Sequence, residues 1–200
     1  MALLSENDRE AIREHFTALE KTVKVELIRK PGPCETENIL KELSELSDKL
    51  NIQVTETDRE EMLPLVKIGS TERVLFRGTP AGYEFSSLLT GIIDAGRDKI
   101  TLTGETMNFL DSLEENLHIK VFVTPSCPHC PPAVVLAHRM ATYSEKVTAE
   151  AIEANEFQEM AARYQVQGVP RTVINETFAS EGAQPESYLI EALKKHLEKK

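Results

Sequence analysis

The sequence lacks the segments that would place a protein in a membrane or outside the cell. None of its apolar runs approaches the roughly 20 residues that cross a bilayer. The N-terminal segment 1–8 turns acidic before it could supply the basic region, apolar core and cleavage site of a secretory signal. We therefore expect a cytoplasmic protein with no membrane partner.

Basic residues are too few for an extended nucleic-acid surface. The 200 residues include 23 Lys and Arg against 33 Asp and Glu, which gives a net charge of −10. Nucleic-acid affinity depends largely on Lys and Arg side chains that neutralise backbone phosphates. We therefore expect no nucleic-acid partner.

Cysteine is also scarce, since the chain has only Cys34, Cys127 and Cys130. Cytoplasmic thiols are normally kept reduced, so this number does not suggest a fold held together by structural disulfides. A close pair in such a protein more often indicates redox chemistry or a metal site. The pair Cys127 and Cys130 is therefore the first candidate for function.

The chain does contain an internal repeat, in which segment 22–25 corresponds to 118–121 and segment 31–34 corresponds to 127–130. Each half reads as a helix, a strand, a helix, a strand, two further strands and a final helix. The second half has one additional helical stretch at 156–164. Because strands alternate with helices and then form a hairpin, we expect an α/β fold in which each half is a mixed sheet with helices on both faces.

Caps and apolar stripes locate several of these helices. Ser5 and Thr103 are predicted N-caps for the helices that open the two halves. The second helix of the first half and the first helix of the second half are predicted to bury one stripe each. These stripes are Ile39, Leu43, Leu46 and Leu50 in the former and Met107, Leu110 and Leu113 in the latter.

The segment 94–99 is poor in apolar residues and lies between the two repeats. Domain boundaries tend to fall in such polar connections. We therefore predict a first domain at 1–98, which lacks a Cys-x-x-Cys pair, and a second, redox-active domain at 99–200.

The segment Cys127-Pro128-His129-Cys130 follows a predicted strand and opens a predicted helix. Free backbone N–H groups and the helix dipole favour negative charge there, and hence a thiolate. A thiolate is the nucleophile of disulfide exchange, so we predict that Cys127 attacks and that Cys130 resolves the mixed disulfide. Pro128 and His129 lie between the sulfurs and are predicted to tune them, with His129 making the pair more oxidising.

Other interpretations of these residues stay open at this point. Cys127 and Cys130 could be zinc ligands, although such sites usually need four Cys or His ligands. Cys34 is predicted to be a packed small apolar residue, with glutathionylation as the alternative. Glu150 and Glu153 could accept a proton from Cys130 or be ordinary exposed carboxylates at a strand end.

Two segments carry a resemblance to a known family. The segment 121–131, with 164–172 downstream, resembles a thioredoxin-fold domain. With 76–85 included, the whole chain resembles the two-domain protein disulfide oxidoreductases, or glutaredoxin-like proteins, of archaea and thermophilic bacteria. The resemblance implies two tandem thioredoxin-like domains, a cis-proline at Pro170 that faces the cysteines, and a Val169 whose backbone receives an extended substrate segment. By the repeat, Pro64 is either a second cis-proline or an ordinary proline at the start of a strand.

The first half departs from that family, because members often carry a Cys-x-x-Cys pair in each half and Pro31 replaces the first cysteine here. We predict that only the second half runs a dithiol cycle, exchanging disulfides with protein substrates. The resemblance implies a flavin thioredoxin reductase as the source of electrons, with glutathione as the alternative. We expect neither a bound cofactor nor a metal. The alternatives are a dedicated reductant of a thiol peroxidase and a chaperone-like module that binds protein chains without catalysis.

Overall fold

The computed structural model describes residues 4–59 and 62–197. Its elements follow the predicted order, and we refer to residues 4–98 as the first half and 99–197 as the second half. The first half contains α1 (Glu6–Phe16), β1 (Val23–Arg29), α2 (Glu35–Ser44), β2 (Leu50–Glu56), β3 (Leu65–Ile68), β4 (Val74–Arg77) and α3 (Glu84–Ala95). The second half contains α4 (Gly104–Asp111), β5 (Leu117–Val123), α5 (Cys130–Tyr143), β6 (Val147–Glu153), α6 (Gln158–Arg163), β7 (Arg171–Ile174), β8 (Phe178–Glu181) and α7 (Glu186–Leu197). Over these residues, no helix has both the length and the apolar character needed to cross a bilayer.

The predicted caps are confirmed, because the Ser5 and Thr103 side chains accept hydrogen bonds from the first turns of α1 and α4. The predicted stripes are only partly right. α2 ends at Ser44, although Leu46 and Leu50 are buried in the following turn and strand. In α4 the buried face includes Phe109, whereas Met107 is half-buried. Periodicity identified most buried residues but not the end of the helix, because loop and strand residues contribute to the same core.

All eight strands form one sheet in the order β2-β1-β3-β4-β6-β5-β7-β8. β1 is parallel to β2, and both β4 and β5 are parallel to β6. β3 and β7 run antiparallel to their neighbours. The halves meet where Val74–Arg77 of β4 pairs with 149–152 of β6, a pairing that the repeat analysis did not predict.

The two faces of the sheet are covered differently. Because side chains alternate along a strand, Val25, Phe76 and Val121 lie on one apolar face, which shares a single core with residues of α1 to α5 and α7. Phe122 and Ile152 lie on the opposite face, where the segment around α6 packs on them. Helices therefore cover both faces of the sheet, and the described part of the first half has no counterpart of α6.

Buried polar contacts join the halves beside the β4–β6 pairing. The segment predicted as the boundary begins inside α3, where buried Asp94 accepts a 2.7 Å hydrogen bond from Nε of Arg139 on α5. His138, also on α5, lies 3.1 Å through Nε2 from the carbonyl oxygen of Leu75 on β4. Burial lowers the pKa of His138 to about 4, so the ring is neutral near pH 7.

Candidate active site

The two cysteines of the second half form a disulfide, with their Cα atoms 5.5 Å apart. The helix α5 begins at Cys130 and has His129 as its N-cap, so Cys127 lies in the turn before the helix rather than within its first turn. Pro131 and Pro132 occupy that first turn, where a missing backbone N–H disrupts no intrahelical bond. The helix start therefore adjoins both sulfurs, but only Cys130 is part of the helix.

The two sulfur-bearing residues differ in accessibility. Cys127 is 8% exposed, whereas Cys130 is 0% exposed. A partner thiol or disulfide approaching from solvent therefore meets Cys127 first. Pro128 and His129 are exposed between the two cysteines, and their tuning role stays a prediction.

The segment before β7 lies directly against Cys127. The Sγ atom of Cys127 is 3.7 Å from the carbonyl oxygen of Val169. The peptide bond between Val169 and Pro170 is cis, which confirms what the resemblance implied. The bond before Pro64 is cis as well, which decides the question left open by the sequence.

A buried carboxyl group, Glu84, lies at the start of α3 and was missed in the sequence analysis. It is 0% exposed, and neither of its carboxyl oxygens has a hydrogen-bond partner of normal geometry among the described residues. Burial raises the pKa of Glu84 to about 7, and Ser87, one turn further along α3, lowers it only in part. Glu84 can therefore be either protonated or ionised near neutral pH.

The start of α3 packs against the turn that leads to the disulfide. The backbone N–H of Tyr83 donates a 2.9 Å hydrogen bond to the carbonyl oxygen of Pro125. At Gly82, whose φ is +58°, a Cβ atom would lie 2.3 Å from that same oxygen, so this close approach requires glycine. These contacts fix the first turn of α3 next to the cysteine-bearing turn of the other half.

The helices α3 and α5 continue side by side from that point. A Cβ atom on Gly91 would lie 3.6 Å from Nδ1 of His138, and Asp94 binds Arg139. Contacts near both ends show that the two helices run in the same direction, so Glu84 and Cys130, each the first residue of its helix, lie at the same end of the helix pair. The buried residues recur at intervals of three and four on both helices, as Glu84, Ser87, Leu88, Gly91 and Ile92 on α3 and as Cys130, Ala133, Val134, Ala137 and His138 on α5.

Glu150 and Glu153 are not the exposed strand-end carboxylates that were the main alternative, because both are buried. Glu150 lies 2.6 Å from Nε of Arg77 and 2.7 Å from Nε2 of His118. Although burial raises it, the hydrogen bonds from His118 and Arg77 hold the pKa of Glu150 below its ordinary value. The Glu153 carboxylate accepts hydrogen bonds from the backbone of Asn155 and from the next residue. Both carboxylates are thus already engaged, unlike Glu84.

The corresponding loop of the first half has no disulfide. Pro31 stands where Cys127 stands in the repeat, and Cys34 is a free, half-buried residue that packs against the main core. Within 4–59 and 62–197, no cluster of three or more His, Cys, Asp or Glu side chains is arranged to hold a metal ion. Among the described residues, the disulfide therefore lies in the second half, and the first half has a single free cysteine.

Comparison with known proteins agrees with this geometry. The family model described as a thioredoxin domain matches residues 117–195. The solved structure of a protein disulfide oxidoreductase from Aeropyrum pernix is 30% identical, with 95% of this chain and 92% of that one covered and a TM-score of 0.84. The chain belongs to the protein disulfide oxidoreductase family. It is therefore an oxidoreductase built from thioredoxin-like domains, as the sequence predicted.

Other relatives belong to a peroxide-reducing system. The N-terminal domain of the alkylhydroperoxide reductase AhpF from Enterococcus faecalis has the same fold, with a TM-score of 0.86, 24% identity, and coverage of 95% of this chain and 99% of that chain. The F component of the alkyl hydroperoxide reductase from Xanthomonas campestris is 26% identical over 153 residues, or 76% of this chain. The chain spans only 29% of that relative's length.

Proposed function

We propose that this protein disulfide oxidoreductase exchanges disulfides with protein partners, with Cys127 as the nucleophile and Cys130 as the resolving thiol. The observation that carries the assignment is the unequal burial of a bonded pair, in which Cys127 keeps 8% exposure beside Val169 and Cys130 has none. A mixed disulfide with a large partner can form only at a sulfur that the partner can reach. The roles of the two cysteines follow from that asymmetry.

In the reducing direction the reaction has two steps. The Cys127 thiolate attacks one sulfur of the partner's disulfide, which forms a mixed disulfide and releases the partner's other sulfur as a thiolate. The Cys130 thiol then loses its proton and attacks Sγ of Cys127, which breaks the mixed disulfide and releases the second partner thiolate. Two electrons pass to the partner, and the bond between Cys127 and Cys130 remains in the oxidised protein.

Glu84 is proposed as the group that exchanges the proton of Cys130. Its carboxyl group is buried at the same end of the α3–α5 pair as Cys130, has no hydrogen-bond partner of normal geometry among the described residues, and has a pKa raised by burial to about 7. A carboxylate with that pKa accepts a proton from the resolving thiol and returns it in the reverse reaction. The acid–base group of the second half's reaction would thus come from the first half.

Substrate contacts are proposed for the segment that ends at Pro170. The Val169 carbonyl beside Cys127 offers a hydrogen-bond acceptor to the backbone of an extended partner segment. Pro128 and His129 are exposed at the point where that segment would pass, which is consistent with a role in tuning the pair. The reductant proposed for the disulfide is a flavin thioredoxin reductase, with glutathione as the alternative.

A second candidate keeps the same chemistry but changes the partner. The relatives named as the F component of alkyl hydroperoxide reductase favour a protein that serves as the dedicated reductant of a thiol peroxidase. In that case a peroxidase disulfide, rather than varied protein disulfides, reacts at Cys127. A peroxidase coupled to this chain would then consume peroxide at a rate far above that supported by a general thioredoxin.

The test is insulin reduction in the presence of dithiothreitol, followed by turbidity. We expect Cys127→Ser to remove the activity, because the remaining Cys130 thiol is buried and cannot meet a protein disulfide, whereas the matched substitution Cys34→Ser leaves it intact. If Cys127→Ser retains the parental rate, the oxidoreductase role of this pair is wrong and a chaperone-like binding role gains support.

A further inference from the structure

The two edges of the shared sheet are built differently. β8, at one edge, has four residues and ends at Glu181, which pairs with Arg171 of the neighbouring strand. β2, at the other edge, has seven residues and pairs with β1 in one unbroken register. Short length, charges, prolines and bulges normally keep an edge strand from pairing with another chain. β2 has none of these features before Glu56, since residues 50–55 include neither a charged residue nor a proline.

The outer side of β2 carries free backbone groups. At the two ends of its pairing with β1, Val23 donates its N–H to the carbonyl oxygen of Lys49, and Thr57 donates its N–H to the carbonyl oxygen of Arg29. Because bonding residues alternate along a parallel pair, the odd-numbered residues of β2 bond to β1, and residues 52, 54 and 56 direct their N–H and C=O groups away from the sheet. Among the described residues, none bonds to these outward groups.

The apolar face of the sheet also continues to this edge. Leu27 of β1 lies beside Val54 in the register, so both are on the face that holds the main core. Leu27 is fully buried, whereas Val54 is 41% exposed. Ile52, on the same face, is half-buried. A strand added at this edge would therefore extend an apolar face as well as a row of backbone hydrogen bonds.

The sequence of β2 is complementary to a second copy of itself. When two copies pair antiparallel over their full length, Gln53 lies opposite Gln53 of the second copy, on a two-fold axis. Ile52 then faces Val54 on the apolar side of the sheet, and Asn51 faces Thr55 on the polar side. The even-numbered pairs have the outward N–H and C=O groups, so they exchange about six backbone hydrogen bonds. Apolar residues thus meet apolar residues, and polar residues meet polar ones.

We propose that β2 is a homodimer interface, at which two copies of this chain join edge to edge into one continuous sheet. The proposal does not depend on the redox mechanism, because four strands lie between β2 and β5. At about 4.8 Å for each strand, the interface lies about 24 Å from β5, which leads to Cys127. The nucleophile of each copy therefore stays free to meet a protein partner. The half without a cysteine pair then supplies the assembly surface.

Sedimentation equilibrium of the full chain tests the association. A contact one strand long is smaller than a standard interface of about 1,600 Å², so we expect a weak dimer and a measurement from about 1 µM to about 1 mM. Val54→Pro removes an outward N–H but no bond to β1, and edge strands tolerate proline. We expect this variant to raise the dimer dissociation constant at least about tenfold, because the hydrogen bonds of that pair are lost.

Ala179→Pro is the matched control on the opposite edge. Ala179 is exposed on β8, and the hydrogen bond from the N–H of Gly182 to the carbonyl oxygen of Pro170 sets the alternation that directs the N–H of Ala179 away from β7. This variant should leave the dimer dissociation constant unchanged. Both proline variants should reduce insulin at the parental rate, which shows that they fold.

Cysteine crosslinking tests the register without changing the backbone. Gln53→Cys and Thr55→Cys are each made in a chain whose Cys34, Cys127 and Cys130 are replaced by serine, and each is oxidised with copper phenanthroline. Copies of residue 53 meet on the two-fold axis, whereas copies of residue 55 are four residues apart along the strands, or about 13 Å. We expect Gln53→Cys to form the disulfide-linked dimer at least about tenfold faster, although both side chains are exposed on the same face.

A monomer at every concentration would overturn the proposal, as would a dimer that Val54→Pro leaves unchanged. Equal weakening by Val54→Pro and Ala179→Pro would also contradict it, because the association would then not be specific to β2. If Val54→Pro loses insulin reduction as well as the dimer, the crosslinking rates decide. Equal rates for Gln53→Cys and Thr55→Cys would show that β2 does not pair in the proposed register.

Discussion

The first and second halves carry the same elements, but their equivalent loops have different backbones. After β5 the chain turns tightly, with φ −95° and ψ −6° at His129, and the helix starts at Cys130. After β1 the chain is extended at Cys34, with φ −139° and ψ 115°, and the helix starts one residue later in the repeat, at Glu35. The loop without the cysteine pair thus lacks the turn that brings two sulfurs together in the second half.

Other elements of the first half pack directly against the second half. Its strand β4 pairs with β6 in the shared sheet, its Gly82 and Tyr83 contact the turn before Cys127, and its Glu84 is buried at the start of α3. We therefore propose that the half without a cysteine pair contributes to the site of the other half. The following variants test how far that division of roles extends.

The largest effect is expected from Glu84→Gln, which would remove the acid–base group that the first half is proposed to supply to the reaction. Removing a general acid–base group typically slows a reaction by about 10²- to 10⁴-fold, and we expect the lower end here, at the step in which Cys130 resolves the mixed disulfide. Rapid-mixing measurements of single-turnover insulin reduction provide the test. Glu35→Gln is the control, because Glu35 is the exposed first residue of α2. Equal rates for the two variants would remove Glu84 from the mechanism.

The same substitution should stabilise the fold at high pH. The pKa of Glu84 is raised by burial from 4.5 to about 7, so the protonated form is the one that the folded state favours. Its contribution to stability is complete below pH 4.5 and is lost as the pH rises through 7, by up to about 3 kcal/mol. Urea unfolding at pH 8 should therefore show Glu84→Gln to be more stable than the parent, with little difference at pH 4.5. A less stable variant at pH 8 would contradict the assigned burial.

A smaller effect is expected from breaking the contact between α3 and α5 with Asp94→Ala. The substitution leaves Arg139, whose side chain is only a quarter exposed, without its partner, and we expect a loss of about 2–3 kcal/mol in the free energy of unfolding. Because both halves share one sheet, unfolding should remain a single transition. Asp98→Ala, which breaks the exposed pair with Lys21, should cause no measurable change. Two separate transitions in the parent protein would show that the halves are independent.

The smallest effect is expected from Cys34→Ala in the loop that lacks a cysteine pair. The residue is half-buried and lies at the edge of the core, so we expect a stability change of less than about 1 kcal/mol and an unchanged insulin-reduction rate. A loss of activity in this variant would show that Cys34 takes part in the reaction, and the first-half loop would then not be inactive.

Sequence reasoning succeeded where the signal was local. The β-branched strands, the caps at Ser5 and Thr103, and the Cys127 to Cys130 motif all depend on neighbouring residues, and the structure has them as predicted. The β4–β6 pairing could not be predicted, because the sequence of a short strand does not indicate which strand of the other half it will pair with. Glu84 was missed for the same reason, since an acidic residue at a helix start is usually exposed and favourable there. The helix α3 packs against α5, which comes from the other half, and the sequence around Glu84 does not reveal that contact.

We propose that the second half holds the reacting pair and that Cys127 is its nucleophile. The most direct measurement is the site of the mixed disulfide that the Cys130→Ser variant forms with the reduced insulin B chain activated by thionitrobenzoate. Peptide mapping by mass spectrometry under non-reducing conditions identifies the bonded residue. We expect the insulin peptide to be attached to Cys127, whereas attachment to Cys34 or the absence of any adduct would show that Cys127 is not the nucleophile.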